Sequence, residues 1–157
     1  MENMEIERKF LVDTAAFDYK KYPHLELSQG YLSTAPVVRI RKEDDTYYLT
    51  YKNKNGEGIA HTEYNLPLTK EAYEHLIEKA DGNIISKNRY LIPYEKYTIE
   101  LDEFKAPFEG LIFAEVEFDS LEEAEAFNPP SWFKEDVTGD KRYSNAYLST
   151  CKISLNY

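Results

Sequence analysis

Acidic and basic side chains alternate with apolar ones in the segment EIERKF near the beginning of the sequence. Glu5, Glu7 and Lys9 fall on one face of a predicted strand, because successive side chains of a β-strand point to opposite sides. Ile6 and Phe10 fall on the other face. Carboxylates bind metal cations and ammonium groups bind anions, so this row predicts a site that holds both.

The same alternation recurs in six further predicted strands, where charged side chains share one face and apolar side chains share the other. Basic pairs occupy the charged face of 37–43 and 84–92, whereas acidic pairs occupy that of 95–103 and 111–118. The cations on these faces are Lys9, Arg39, Arg41, Lys52, Lys87 and Arg89. The acids are Glu5, Glu7, Glu63, Glu100, Asp102, Glu115 and Glu117.

A charged face admits two interpretations. An antiparallel sheet commonly exposes one charged face to water. The segregation of cations and anions by strand instead favours a binding site, because a solvated face usually mixes both signs. Six cations are too many for a bound ligand with a single carboxylate, but they match a ligand with several phosphates. A cluster of acidic side chains without histidine or cysteine selects Mg²⁺ or Mn²⁺. If this face turns inward, the pattern predicts a site for a metal–triphosphate complex.

A curled sheet is needed to bring these rows together. Residues typical of strands, with period-two alternation, fill eight segments. These segments are 4–12, 25–33, 37–43, 46–53, 60–68, 84–92, 95–103 and 111–118. Turn residues separate several of them, at 34–36, 44–45, 53–58 and 93–96. Such short connections favour antiparallel hairpins, and eight antiparallel strands can close into a barrel that admits one small ligand.

Three short helices are predicted outside the sheet. The first, 69–82, has apolar residues at helical spacing and Gly82 as its stop. The second, 120–127, begins with a capping box at Ser120, and the third covers 141–150. The predicted fold is therefore α+β: an eight-stranded antiparallel β-barrel, closed as a tunnel with a charged interior, with a few short helices packed outside.

Composition predicts a single globular domain over residues 1–157, with 42% hydrophobic and 31% charged residues. A net charge of −10 argues against general nucleic-acid binding, since phosphate backbones need a basic surface. Cys151 is the one cysteine of the sequence, which excludes a disulfide framework and a cysteine zinc site. No segment is typical of a signal peptide or a membrane span, so the cytoplasm is the expected compartment.

Further motifs accompany the Glu5-x-Glu7-x-Lys9 row in a fixed order. They are QGYL (29–32), VRIR (38–41), YLTYK (48–52), Glu63, KNRY (87–90), ELDEF (100–104), AEVEF (114–118) and VTGDKRYSNAYL (137–148). E-x-E-x-K is the signature of the CYTH superfamily, also called the triphosphate tunnel metalloenzymes. The sequence resembles this family in the order and spacing of these motifs over essentially the whole chain.

The resemblance implies an eight-stranded barrel whose closed tunnel acts on triphosphates with a divalent metal. Known members include inorganic, thiamine and RNA triphosphatases and class IV adenylate cyclases, and short single-domain members are most often tripolyphosphatases. The implied function is therefore hydrolysis of inorganic tripolyphosphate, by in-line attack of water on a phosphoanhydride. The alternatives are a class IV adenylate cyclase or a thiamine or nucleoside triphosphatase, and a non-catalytic module that binds polyphosphate or nucleotide.

The resemblance also implies a role for each charged residue. The phosphate-binding positions correspond to Lys9, Arg39, Arg41, Lys52, Lys87 and Arg89. The main ligands of Mg²⁺ or Mn²⁺ correspond to Glu7, Glu115 and Glu117. Glu5, Glu63 and Asp102 are the candidates for a second metal or for orienting the attacking water, and Arg142 and Tyr143 for closing one tunnel mouth. The expected partner is a small-molecule triphosphate, with no nucleic acid and no membrane, and a homodimer would cover part of the apolar outer face.

Overall fold

Nine β-strands form one sheet in the computed structural model, which describes residues 3–54 and 60–151. They are β1 (Asn3–Val12), β2 (His24–Thr34), β3 (Val37–Glu43), β4 (Thr46–Lys54), β5 (Ala60–Pro67), β6 (Asp81–Tyr94), β7 (Tyr97–Phe104), β8 (Ile112–Phe118) and β9 (Phe133–Asp136). The order is β5-β4-β3-β2-β6-β7-β8-β1, and β1 also pairs with β5. Eight antiparallel strands therefore close into the predicted barrel. The ninth strand, β9, is not predicted from the sequence, and it pairs with the end of β1.

The register of the barrel turns the charged rows inward. Residues that pair directly across two strands point to the same side. Lys9 pairs with Glu115, and Arg89 pairs with Asp102. The apolar rows face outward and pack with residues of the connecting segments and the last helices. This outer core comprises Ile6, Phe10, Tyr19, Tyr90, Ile92, Ile99, Leu101, Ala114, Val116, Phe118, Ala124, Phe127 and Trp132. The predicted charged interior is confirmed.

Three helices and two short 3-10 turns connect the strands within the described residues. They are α1 (Lys70–Ile77), α2 (Leu121–Ala126) and α3 (Asn145–Thr150), with the turns at Tyr19–Lys21 and Lys141–Tyr143. The predicted stop of the first helix at Gly82 is wrong. α1 ends at Ile77 because β6 already begins at Asp81, which pairs with Tyr31 of β2.

The predicted N-cap of α2 is confirmed, since the Ser120 hydroxyl accepts a hydrogen bond from the Glu123 backbone N–H (3.1 Å). The prediction of one continuous helix over 141–150 is wrong. Ser144 has an extended backbone, and its hydroxyl accepts a hydrogen bond from the Tyr147 N–H (3.1 Å). Ser144 therefore separates the 3-10 turn from α3 and is the N-cap of α3.

Apolar residues fill one end of the barrel, and α3 closes it. The buried cluster at this end comprises Ile85, Phe104, Phe108, Leu111, Phe113 and Leu148. Asn83 Nδ2 donates to the backbone carbonyls of Leu148 (2.9 Å) and Cys151 (2.7 Å). Gly82 has a φ of +73°, and a Cβ there would lie 1.9 Å from the Ser149 carbonyl oxygen. These contacts fasten α3 to the first residues of β6.

Two predictions from the sequence are untested by the fold. Residues 55–59, which include most of the predicted turn at 53–58, lie outside the described residues. Leu66 on the outer face of β5 is 60% exposed, and a second subunit that covers this face stays a prediction. None of the described helices combines the length and apolar character needed to cross a membrane.

Candidate active site

A cavity of about 870 Å³ occupies the barrel interior, which is a typical size for a small-ligand site. Its wall includes every residue predicted to bind phosphate, bind metal or orient water except Lys87 and Asp102, which are fully buried and do not line the cavity. Arg142 and Tyr143, predicted to close a tunnel mouth, do not line it either. The charged wall residues are Glu5, Glu7, Lys9, Arg39, Arg41, Glu43, Asp45, Lys52, Glu63, Arg89, Glu100, Glu115 and Glu117. The barrel thus brings the predicted cations and acids to one place.

The two arginines of β3 are held by neutral partners. Arg41 is buried, and it donates from Nε to Gln29 Oε1 (2.7 Å) and from Nη1 to the Tyr48 hydroxyl (3.4 Å). Arg39 donates from Nη2 to the Thr50 hydroxyl (3.0 Å). Burial and the nearby charge of Arg39 lower the pKa of Arg41. Among the described residues neither guanidinium forms an ion pair, although the charge of Arg39 helps to lower the pKa of Glu63 and that of Arg41 opposes the rise in the pKa of Glu100.

The basic pair of β6 is held by a carboxylate of β7. Asp102 accepts hydrogen bonds from Arg89 Nε (2.8 Å) and Nη2 (2.9 Å), and its Oδ2 lies 2.7 Å from Lys87 Nζ. Lys87 also donates to Asn145 Oδ1 in α3 (3.0 Å). Burial lowers the pKa of Lys87 to about 7, although Asp102 opposes this shift. Burial alone would raise the pKa of Asp102, but Arg89 and Lys87 hold it below its usual range.

Lys9 of β1 lies beside carboxylates of β1 and β8. Its Nζ is 3.6 Å from Glu115 Oε1 and donates to the Tyr143 backbone carbonyl (2.7 Å). Burial raises the pKa of Glu7 well above its usual range, and the charge of Glu115 adds to the shift. Burial would also raise the pKa of Glu115, but Lys9 and Arg89 lower it, as does a hydrogen bond with Glu7. This environment therefore favours the protonated form of Glu7 and the ionised form of Glu115.

A second carboxyl pair surrounds Lys52, whose Nζ lies 2.6 Å from Glu5 Oε1 and 3.9 Å from Glu63 Oε2. Burial and a hydrogen bond with Glu63 raise the pKa of Glu5 to about 7. Burial acts the same way on Glu63, but hydrogen bonds from Glu5 and Asn65 outweigh it and lower the pKa of Glu63. Asn65 Nδ2 donates to Glu63 Oε1 at 2.8 Å. Glu63 is therefore the ionised member of this pair.

The carboxyl groups fit a divalent cation in their donor chemistry. Each pair contains one carboxyl group whose pKa is raised by burial and by a neighbouring carboxylate, a repulsion that a cation would relieve, and all donors are the oxygens that hard cations prefer. Glu117, the third predicted ligand, lines the cavity and pairs with Glu7 across β1 and β8. Within residues 3–54 and 60–151, no three acidic, histidine or cysteine side chains converge into a ready-made metal site.

Two neutral site residues, Gln29 and Asn145, are not predicted from the sequence, because charge alternation does not mark them. Gln29 is fully buried beside Arg41, and its odd number places it on the inward face of β2 with Tyr31. That parity could have identified Gln29. Asn145 follows the break before α3, and its position in the motif VTGDKRYSNAYL is the signal that could have identified it.

Arg142, predicted to close a tunnel mouth, is exposed and forms an ion pair with Asp140 (2.7 Å). Tyr143 is placed closer to the site, because its backbone carbonyl accepts the hydrogen bond from Lys9. Closure of the mouth by these two residues stays a prediction.

Comparison with known proteins agrees with this geometry. The CYTH domain model matches residues 3–143. The chain is 38% identical over 150 residues to an inorganic triphosphatase of Nitrosomonas europaea, covering 92% of this chain and 96% of that protein. It is 39% identical over 150 residues to an inorganic triphosphatase of Acetivibrio thermocellus, covering 92% of each chain. A crystal structure of an inorganic triphosphatase has a TM-score of 0.70 and 36% identity, over 96% of this chain and 97% of that chain. The chain belongs to the CYTH domain family.

Proposed function

We propose that this protein is a divalent-metal-dependent inorganic triphosphatase, which hydrolyses tripolyphosphate to orthophosphate and diphosphate. The observation that carries the proposal is the pair of β3 arginines, Arg39 and Arg41, which line the cavity and form no ion pair within residues 3–54 and 60–151. Arg41 is buried and Arg39 is half-buried. A cation held away from water is costly unless it is paired, and a triphosphate would supply the missing negative charge. The shared name of the two relatives, inorganic triphosphatase, supports the same activity.

The cations of the cavity wall bind the substrate. Arg39 and Arg41 present planar forks that match phosphate oxygens in pairs. Lys9, Lys52 and Arg89 add positive charge from other strands around the same cavity. A linear triphosphate therefore lies within the tunnel with its charge neutralised, which favours attack on phosphorus by a weak nucleophile. The net charge of −10 supports a small-molecule substrate rather than a nucleic acid.

The CYTH family implies a divalent metal ion, and we propose Mg²⁺ or Mn²⁺. Glu7, Glu115 and Glu117 would hold the ion at the cavity wall. When bound, the ion supplies Lewis-acid stabilisation of the charge that develops on phosphate oxygens.

Glu63 is the proposed acceptor for the attacking water. Hydrogen bonds from Glu5 and Asn65 keep its carboxylate ionised, so it can accept a hydrogen bond from water. The water oxygen attacks the terminal phosphorus, the bond from that phosphorus to the bridging oxygen breaks, and the proton of the water passes to Glu63. Glu5 has the supporting role of orienting Glu63.

Phosphate release from tripolyphosphate tests the proposal. We expect the purified protein to release orthophosphate with Mg²⁺ or Mn²⁺ and not in EDTA. Glu115→Gln removes a charge that both the metal and Lys9 need, so we expect a loss of about 100-fold or more. Glu109→Gln, which changes an exposed carboxylate outside the cavity, is the matched control. Absence of phosphate release with either metal contradicts the proposal.

The same preparation separates the alternative functions. Cyclic AMP formed from ATP would indicate a cyclase. Faster phosphate release from ATP or thiamine triphosphate than from tripolyphosphate would indicate an organic substrate. Binding of tripolyphosphate without turnover in the presence of either metal would indicate a non-catalytic module.

A further inference from the structure

We propose that Asp102 and Asn145 are positioning residues that take no direct part in hydrolysis. Asp102 holds the Arg89 guanidinium in place for phosphate, and Asn145 supports Asp102 through Lys87. The proposal rests on the proposed function for the identity of the bound anion. It assigns to Asp102 a role different from metal binding or water activation, and it gives a role to Asn145, a neutral residue of the motif VTGDKRYSNAYL.

The carboxylate of Asp102 is already occupied. It is fully buried and does not line the cavity. A carboxylate has about four acceptor positions, and three donors contact Asp102: Arg89 Nε at Oδ1 (2.8 Å), and Arg89 Nη2 (2.9 Å) and Lys87 Nζ (2.7 Å) at Oδ2. An oxygen enclosed in this way cannot reach a metal ion or a water molecule in the cavity.

Arg89 is the member of this cluster that faces the substrate. It lines the cavity, whereas Lys87 has no exposed surface. The two parallel bonds to Asp102 fix the plane of the guanidinium, and a third contact joins Nη1 to Glu100 (3.4 Å). A guanidinium has five N–H donors, so two remain for phosphate oxygens in a fixed direction. Fixing a binding group beforehand lowers the entropy lost when the ligand binds.

Lys87 connects the Arg89–Asp102 pair to α3, the helix that closes the barrel. Its ammonium group has three donors, of which Asp102 takes one and Asn145 Oδ1 takes another (3.0 Å). Asn145 is the first residue of α3 and itself lines the cavity, and Asn83 holds α3 against β6. Contacts therefore run from α3 through Asn145, Lys87 and Asp102 to the guanidinium at the cavity wall. Each step joins side chains by a hydrogen bond or an ion pair, which is the support that a precise binding group requires.

Calorimetric titration with tripolyphosphate in EDTA separates positioning from catalysis, because it measures anion binding without metal or turnover. We expect Asp102→Asn to weaken binding about tenfold and Asn145→Ala to weaken it severalfold, since each removes one link behind Arg89. With metal present, KM rises to a similar extent, while kcat and the metal concentration for half-maximal activity stay near those of the wild type. Asp136→Asn breaks the Arg8–Asp136 pair on the outside of the barrel and is the matched control.

Two results would overturn the proposal. If Asp102→Asn binds tripolyphosphate as tightly as the wild type yet loses kcat or needs more metal, Asp102 has a catalytic or metal-binding role. If Asn145→Ala binds like the wild type, α3 takes no part in positioning Arg89. If Asp102→Asn does not fold, judged by circular dichroism, Asn145→Ala decides the outcome alone. Wild-type protein that binds tripolyphosphate but does not hydrolyse it contradicts the proposed function and leaves the titration of the variants as the test of positioning.

Discussion

Two basic pairs face the interior of this barrel from neighbouring regions, and they differ in how their charge is compensated. Arg39 and Arg41 of β3 have hydrogen-bond partners that are all neutral: Gln29, Tyr48 and Thr50. The pair on β6, Lys87 and Arg89, shares the Asp102 carboxylate. Both pairs have the same spacing along a strand, so spacing alone does not reveal the difference.

The comparison indicates that the two basic pairs have different roles in the tunnel. Buried cations without a counter-anion reduce stability, and a protein retains them where a ligand supplies the opposite charge. Buried cations with an internal anion are already stabilised and hold a fixed geometry. We therefore expect the β3 pair to contribute to substrate affinity at a cost in stability, and the β6 cluster to contribute to stability and to positioning.

The largest expected effect is on activity, from Arg41→Met. It removes a guanidinium that lines the cavity and forms no ion pair within the described residues, so we expect hydrolysis of tripolyphosphate to fall about 100-fold or more. The free energy of unfolding should stay constant or rise, because an uncompensated buried charge is lost. Lys42→Met, on the exposed outer face of the same strand, is the control and should retain full activity. Loss of both activity and stability in Arg41→Met would remove the contrast between the two pairs.

Asp102→Asn should produce the opposite pattern in stability. It leaves Arg89 and Lys87 buried without their counter-anion, so we expect the free energy of unfolding to fall by about 3 kcal/mol in urea denaturation. Asp136→Asn breaks a partly exposed pair with Arg8 and should cost less than about 1 kcal/mol. Equal losses in the two variants would show that Asp102 does not stabilise the β6 cluster.

The pH dependence of stability tests the β6 cluster through Lys87. Burial lowers the pKa of Lys87 from 10.5 to about 7, so between these values the folded protein binds one proton fewer than the unfolded chain. The cost of the buried charge is fully present below pH 7 and is relieved as pH rises, so the free energy of unfolding increases with pH. We expect a gain of about 2 kcal/mol over the first two pH units above neutrality.

Lys87→Met is the variant that isolates this titration. The increase in stability with pH should be absent in Lys87→Met and retained in Arg41→Met. An identical slope in Lys87→Met and the wild type would show that another group titrates in this range.

The smallest effect is expected from Gln29→Leu. It removes the acceptor that holds Arg41 Nε at 2.7 Å, while the guanidinium itself remains. We expect KM for tripolyphosphate to rise about tenfold with little change in kcat, because Arg41 loses its orientation but keeps its charge. Ser28→Ala, at the neighbouring position on the other face of β2, is the control for steady-state kinetics. A change in kcat with a constant KM would contradict the assignment of Gln29 to substrate binding.

Much of the barrel could be predicted from the sequence, because period-two alternation fixes which residues share a face. Predicted strand ranges such as 37–43 match the structure, and the inward rows follow once the sheet closes. Elements that depend on tertiary contacts could not be predicted in this way. β6 begins earlier than predicted because Asp81 pairs with Tyr31, and the last helix is interrupted where Ser144 provides an N-cap.

The predicted site residues share a face, but their partners are visible only in the structure. Parity placed Asp102 inward with Glu100 without indicating that Arg89 and Lys87 would enclose it. Neutral partners such as Gln29 and Asn145 carry no charge pattern, so their contacts with Arg41 and Lys87 could not be inferred from the sequence.

Phosphorus NMR of tripolyphosphate incubated with the protein and Mg²⁺ or Mn²⁺ tests the central claim most directly, because it identifies the products as well as the rate. We predict that orthophosphate and diphosphate appear in equal amounts, and that Arg41→Met and Glu115→Gln slow their formation about 100-fold or more. Tripolyphosphate that persists unchanged with both metals would contradict the account, as would wild-type rates in Arg41→Met.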